Sequence, residues 1–172
     1  MKKTLILVRH ANAEDLGNSH MLKDFDRELT SKGLMQSARL GKRLKELNIE
    51  IDAFYASAAV RTAETAKLIA EQLKYDIDNI LLENSLYGGG ARTYLELVNS
   101  MMEGLNVVVI VGHNPDISFF TDYLSSKDVG GSFGKATAVI LTFDDIKWSE
   151  ISQKSGNFEK RIDEKELFDN EQ

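Results

Sequence analysis

Thr4-Leu5-Ile6-Leu7-Val8-Arg9-His10-Ala11 is the stretch on which the fold turns: four consecutive apolar residues that stop at an arginine and a histidine. A strand with one wet face alternates apolar and polar residues, whereas a strand covered on both faces does not need to. Residues 5–8 therefore predict a buried strand of a parallel sheet. Working outward, residues 51–55 and 107–111 carry the same signature, and residues 80–82 form a shorter candidate. Met1-Lys2-Lys3 resembles the start of a signal peptide, but the apolar run is too short and no small-residue cleavage site follows. We read it as a first strand and expect a cytoplasmic protein.

Helical patterns fill the gaps. Leu34, Ala38, Gly41, Leu44 and Leu47 recur at helical spacing behind a cap at Thr30 or Ser31. Ala63, Ala66, Ala70 and Leu73 form a second stripe, and Leu95, Val98 and Met101 or Met102 a third. Ile117, Phe120 and Leu124 form a fourth, opened by Asn114 as cap and Pro115 at the first helical position. Residues 138–143 and 148–152 predict an antiparallel hairpin turning at Asp144-Asp145. Strands alternating with helices predict an α/β protein: a three-layer α/β/α sandwich with a mainly parallel central sheet and an antiparallel C-terminal strand. Residues 1–156 are read as one domain. Residues 157–172, with six acids and three bases, are read as a charged, flexible tail.

In such folds ligands bind outside the carboxyl ends of the strands. Arg9-His10 follows the first strand, Ser57 and Arg61 follow the second, and Gly112-His113 follows the third. Three separate segments thus deliver two arginines and two of the three histidines to one edge. The remaining histidine, His20, lies in the polar stretch 15–26, read as an ordinary connecting loop in preference to a flap.

Two guanidiniums and two imidazoles suit a tetrahedral oxyanion. Arginine offers a planar fork that matches phosphate oxygens, and a neutral imidazole is a competent nucleophile toward phosphorus. Taken singly, these residues have plainer readings: a strand-end pair, a helix-surface ion pair for Arg61, a helix cap for His113. Their conjunction at one sheet edge brings a catalytic reading level with these. A metal site at His10 and His113 is disfavoured by the two adjoining arginines, and no cofactor is expected.

Composition narrows the field further. The 172 residues are 42% hydrophobic and carry net charge −6 with no long basic block, which argues against a nucleic-acid partner. No apolar run approaches the length of a membrane span. The absence of cysteine excludes disulfides and thiolate catalysis.

The motifs resemble the histidine phosphatase (phosphoglycerate mutase-like) superfamily. Arg9-His10-Ala11-Asn12-Ala13-Glu14 resembles its SixA-type branch of small phosphohistidine phosphatases. Asp26-Arg27-Glu28-Leu29-Thr30-Ser31-Lys32-Gly33, Ser57-Ala58-Ala59-Val60-Arg61-Thr62-Ala63-Glu64-Thr65-Ala66 and Val111-Gly112-His113-Asn114-Pro115 resemble three further family segments in the same order. The resemblance spans residues 4–153. It implies that His10 is the nucleophile and that Arg9, Arg61 and His113 form the phosphate pocket. A protonated His113 would be an additional positive donor.

Two departures shape the expected substrate. The long insertion found in some branches after the second helix is missing, so we expect a shallow, open site that suits a phosphorylated protein side chain. The family's general acid is a carboxylate from this middle region. Glu83 is the best candidate here, although a solvated loop acid is the reading preferred for it. Phosphohistidine leaves as imidazole, of ordinary pKa near 6.5, and can manage with a weak acid. The expected substrate is therefore phosphohistidine on a protein, such as a phosphorelay domain. A small phosphorylated metabolite, or a phosphate-binding role without turnover, is the alternative. Asn12 and Ser57 are second-rank candidates for substrate contact; a turn and a helix cap are their plainer readings.

Overall fold

In the computed structural model, which describes residues 1–15 and 23–168, β1 (Lys2–Arg9) runs through the interior of a six-stranded sheet. Its companions are β2 (Ala53–Ser57), β3 (Leu81–Glu83), β4 (Val107–Gly112), β5 (Ala138–Asp144) and β6 (Asn157–Ile162). The order is β3-β2-β4-β1-β5-β6. The first four run parallel, and β5 alone is reversed, pairing antiparallel with both β1 and β6.

The apolar runs fill two cores at once. On β1, Leu5 and Leu7 join one cluster with Ile110, Tyr94, Val98, Ile117, Phe120 and Trp148. Ile6 and Val8 join the other, with Val109, Val111, Leu40, Leu44, Ala66 and Ile69. Side chains alternate across a strand, so each apolar run buries one residue on each face in turn. Helices α1 (Ser31–Lys45) and α2 (Val60–Gln72) cover one face, and α3 (Ala91–Asn99) and α4 (Asp116–Leu124) cover the other. The three-layer α/β/α sandwich is the expected architecture.

Several details differ from the sequence reading. Leu34, expected on the buried stripe of α1, is 42% exposed. The buried face is instead Gly33, Gln36, Ser37, Leu40, Gly41 and Leu44. The two glycines allow that: a side chain on Gly33 would overlap the Asn12 carbonyl, and one on Gly41 would press on Ile69 and Gln72 of α2. Thr30 is the cap, accepting from the Gly33 amide at 3.1 Å. Pro115 precedes α4 instead of opening it.

The C-terminal region departs most. Residues 148–152 are not a strand; Trp148–Glu150 is a 3-10 turn that buries Trp148. The partner of β5 is β6, drawn from the segment read as a solvated tail. That segment also forms α5 (Glu164–Phe168), whose Leu167 packs into the α1–α2 core. The domain boundary at 156 therefore falls inside one continuous sheet. β6 is an edge strand, and edge strands carry charged side chains on their wet face, so its composition mimics a tail.

Candidate active site

The chain leaves β1 over one face of the sheet, through α1, and leaves the neighbouring β4 over the other, through α4. A crevice opens between such diverging strands. Arg9 and Gly112 are paired at the same level, so His10 and His113 emerge side by side, with ring centroids 5.4 Å apart. They line a cleft of about 620 Å³ together with Arg9 and Arg61.

Hydrogen bonding fixes the state of His10. Its Nδ1 lies 2.7 Å from the Ala11 carbonyl, which can only accept, so Nδ1 carries the proton. Nε2 then holds a free lone pair. Two bonds anchor the turn: the Ala11 amide donates to Thr65 Oγ1 at 3.1 Å, and Thr65 donates to the Arg61 carbonyl at 2.7 Å.

Both arginines are gripped by their ends. Arg9 Nη1 donates to the Phe133 carbonyl at 2.8 Å. Arg61 donates from Nη1 to the Asp24 carbonyl at 2.7 Å and from Nη2 to Asp24 Oδ2 at 3.0 Å. In each case Nε–H is buried and has no partner among the described residues. The third such atom is His113 Nδ1. Three unsatisfied nitrogens on residues of one cleft match an anion, since buried donors left unpaired are costly.

His113 Nε2 lies 2.8 Å from Ser57 Oγ, which also accepts from the Ala59 amide at 3.3 Å. No other acceptor for the Ser57 hydroxyl proton occurs among the described residues, so the hydroxyl donates to Nε2. His113 Nδ1 then carries the proton and is a donor even in the neutral ring. Tyr94 completes the setting: its hydroxyl accepts from the His113 amide at 3.0 Å, and a side chain on Gly112 would collide with it.

Burial is the main cause of depressed basicity in both rings. His10 falls to about 2, with Lys135, His113 and Arg61 adding repulsion against the bond to Ala11. His113 falls to about 4, with Arg61 the next cause. The unfolded chain protonates its histidines near 6.5 while the folded chain keeps these two neutral. Between pH 6.5 and 4 the unfolded state binds more protons, so stability must fall as pH is lowered. From pH 7 to 5 we expect a loss on the order of 3 kcal/mol, read from urea denaturation at both values. Equal stabilities would show that the folded protein accepts the protons.

The sequence candidates separate into two groups. Arg9, His10, Arg61 and His113 line the cleft, with Ser57 directly behind His113. Asn12 does not line it: its Nδ2 donates to Thr30 Oγ1 at 2.7 Å and its amide to Gln36 Oε1 at 2.9 Å, tying β1 to the start of α1. Glu83 also lies outside the cleft, at the end of β3 beside Ser57 in register. Of the stretch 15–26, residues 16–22, including His20, lie outside the described residues.

Sequence reasoning missed five cleft residues with ionisable side chains: Asp24, Arg27, Tyr87, Asp116 and Lys135. Asp24 accepts from Tyr87 at 2.6 Å and from Arg27 at 2.9 Å besides gripping Arg61. These bonds, Tyr87's foremost, hold its carboxyl far below the usual carboxylate range against the opposing effect of burial. Lys135 carried a signal that could have been used. A reversed strand starts where its parallel neighbours end, so the residues before β5 reach the same edge. Among the described residues no group of three or more His, Asp or Glu is placed to hold a metal ion. No helix there is long and apolar enough to cross a membrane.

Comparison with known proteins adds a family. Residues 5–86 match the model of the histidine phosphatase superfamily (branch 1). The mitochondrial serine/threonine-protein phosphatase Pgam5 of Drosophila ananassae is 40% identical over 77 residues, 45% of this chain and 25% of that protein. A 2,3-bisphosphoglycerate-dependent phosphoglycerate mutase of Bartonella bacilliformis is 36% identical over 85 residues, 49% of this chain and 41% of that protein. The match thus spans less than half the length of either relative. Among solved structures, the protein histidine phosphatase SixA complexed with tungstate superposes with a TM-score of 0.80 at 19% identity, covering 95% of this chain and 99% of that one. SixA from Nakamurella multipartitia gives 0.77 at 23% identity, covering 94% and 96%. Over residues 5–86 the chain is thus similar in sequence to the histidine phosphatase superfamily, and as a whole it has the fold of the two SixA structures.

Proposed function

We propose that the protein is a phosphatase that works through a phosphohistidine on His10, and that its substrate is phosphohistidine of a protein. The observation that carries this reading is the pairing of a free His10 Nε2 with three unsatisfied nitrogens, on Arg9, Arg61 and His113, in one cleft. Nε2 attacks phosphorus, and the bond from phosphorus to the leaving nitrogen breaks as the P–Nε2 bond forms. The leaving imidazole, protonated on its other nitrogen, departs neutral. The two arginines and His113 Nδ1–H stabilise charge on the equatorial oxygens. Water then attacks the same phosphorus, the P–Nε2 bond breaks, and orthophosphate carries away both water protons. His10 returns to its starting state because Nδ1 stays protonated against Ala11 throughout.

The acids support that substrate class. Glu83 lies outside the cleft; of the two carboxylates that line it, Asp24 is ionised and committed to three partners, and Asp116 accepts from the Gly90 amide at 3.2 Å. An alkyl phosphate, which leaves as a poor alkoxide, would need one of these engaged carboxylates as its acid. Arg27 and Lys135 are extra cations of the kind that a small anionic metabolite would use, so the two substrate classes must be compared directly. Incubation with labelled phosphoramidate should place acid-labile label on His10, and phosphoramidate should turn over faster than an unactivated alkyl phosphate. Faster alkyl phosphate hydrolysis would exclude the phosphohistidine reading, and binding without any turnover would exclude the enzyme.

Ser57 acts in this scheme through His113, as a positioning residue. Ser57→Ala frees His113 to take the other tautomer and should lower kcat about tenfold, the equivalent of one ordinary hydrogen bond. Ring nitrogen shifts of His113 should move in parallel, and Ser57→Thr should restore both. Unchanged shifts in the alanine variant would remove the tautomer argument.

A further inference from the structure

Lys135 stands apart from the other cleft cations. Arg9 is held by Phe133, and Arg27 and Arg61 are both held by Asp24. Lys135 is half-buried and has neither an ion pair nor a hydrogen bond among the described residues. Burial and the three guanidiniums nearby lower its pKa. A half-buried ammonium facing like charges is unfavourable unless an anion joins it.

Its backbone is anchored to the catalytic turn on both sides. The Phe133 carbonyl, two residues before, accepts from Arg9 Nη1 at 2.8 Å and from Asn114 Nδ2 at 2.8 Å. The Ala136 amide, one residue after, donates to the His10 carbonyl at 3.2 Å. Ala136 itself is fully buried with φ 57°, a left-handed conformation that disfavours a residue with a Cβ. Such conformations persist where surrounding contacts impose them, and they gather at functional sites. The kink turns the chain from the cleft into β5 and leaves Lys135 on the cleft side, lining it beside His10. Of the neighbouring cations, Lys135 repels a proton on the His10 ring more strongly than Arg61 does.

We propose that Lys135 is a further catalytic residue, whose ammonium ligates the phosphoryl group as it moves onto His10 and while it resides there. This rests on the phosphatase reading above. Arg9 and Arg61 are fixed by their ends and define where phosphorus must pass. An ammonium on a flexible stem can instead follow the oxygens as phosphorus shifts from the leaving nitrogen to Nε2. A neutral His10 needs this help, because the ring starts uncharged and gains positive charge only as the bond to phosphorus forms.

The test compares wild type, Lys135→Met and Lys135→Arg in three measurements. Orthovanadate affinity by calorimetry should weaken about tenfold in the methionine variant, as for a lost charged hydrogen bond. The single-turnover rate of His10 labelling by phosphoramidate should fall about 100-fold, the scale of one lost oxyanion donor. The arginine variant should recover most of both. The urea midpoint of the methionine variant should stay level or rise, since repulsion in the empty cleft is relieved, whereas a merely structural lysine would lower it. Wild-type vanadate affinity and labelling rate in Lys135→Met would overturn the proposal. If wild type binds vanadate but His10 never labels, the phosphatase reading fails, and the affinity ratio alone still decides whether Lys135 ligates the anion. If wild type binds no vanadate, both fail.

Discussion

His10→Ala should abolish phosphoryl transfer, with turnover falling by at least about 10³-fold, the scale of losing a nucleophile that acts as part of a unit. The reason is specific to the geometry. His10 is 5% exposed, it lines the cleft, its Nδ1 proton is committed to Ala11, and Nε2 is the nitrogen left with a free lone pair. A water molecule in place of the ring would lack that orientation. Anion affinity should survive within about tenfold, because the donors on Arg9, Arg61 and His113 remain. Acid-labile label should disappear. The variant should also lose part of the acid sensitivity described above, since one buried neutral histidine is gone, and denaturation at pH 5 against pH 7 reads this directly. Turnover within tenfold of wild type would remove His10 from the nucleophile's role.

Arg61→Lys is the second large effect, although it keeps the charge. Arg61 does two things at once: its Nη groups hold Asp24 and its Nε–H is left unpartnered in the cleft. A lysine has no planar fork and cannot do both. We expect kcat to fall about 10²- to 10³-fold, with weaker orthophosphate binding. Asp24, losing its hydrogen bond from the Arg61 guanidinium, should titrate nearer the usual carboxylate range in carbon-detected NMR. A lysine variant with near wild-type kcat would mean that Arg61 supplies charge alone.

Much of this was written in the pattern of the sequence. The continuous apolar runs of β1 and β4 required two covered faces, and the rule for ligand sites at strand ends then brought Arg9, His10, Arg61 and His113 to one edge. The residues that escaped notice lie where no periodicity operates. Asp24 and Tyr87 sit in short turns, and their meeting with Arg61 depends on how separate loops fold over the edge. Glu83 is a candidate because it ends a strand, but that strand is the outermost of the sheet and Glu83 does not line the cleft; Asn12 is a candidate because it follows His10, but Thr30 and Gln36 draw it away. The C-terminal segment was misread because an edge strand and a disordered tail share a charged composition. Only pairing with β5 tells them apart.

That last strand also sets a timetable. Arg161 of β6 donates to the carbonyls of Val129, Gly131 and Ser132 at 3.0, 2.8 and 2.9 Å, just before Phe133 holds Arg9 and Lys135 enters the cleft. β1 meanwhile pairs only with residues made much later, 107–112 and 138–144. At about 5–20 residues per second of synthesis, β1, which leads directly into His10, waits on the order of ten seconds for its first ladder partner. The loop just before Lys135 gains these three bonds only once Arg161 has been added. During translation Arg9 and His10 are thus the first cleft residues to be made and among the last to gain a finished pocket around them.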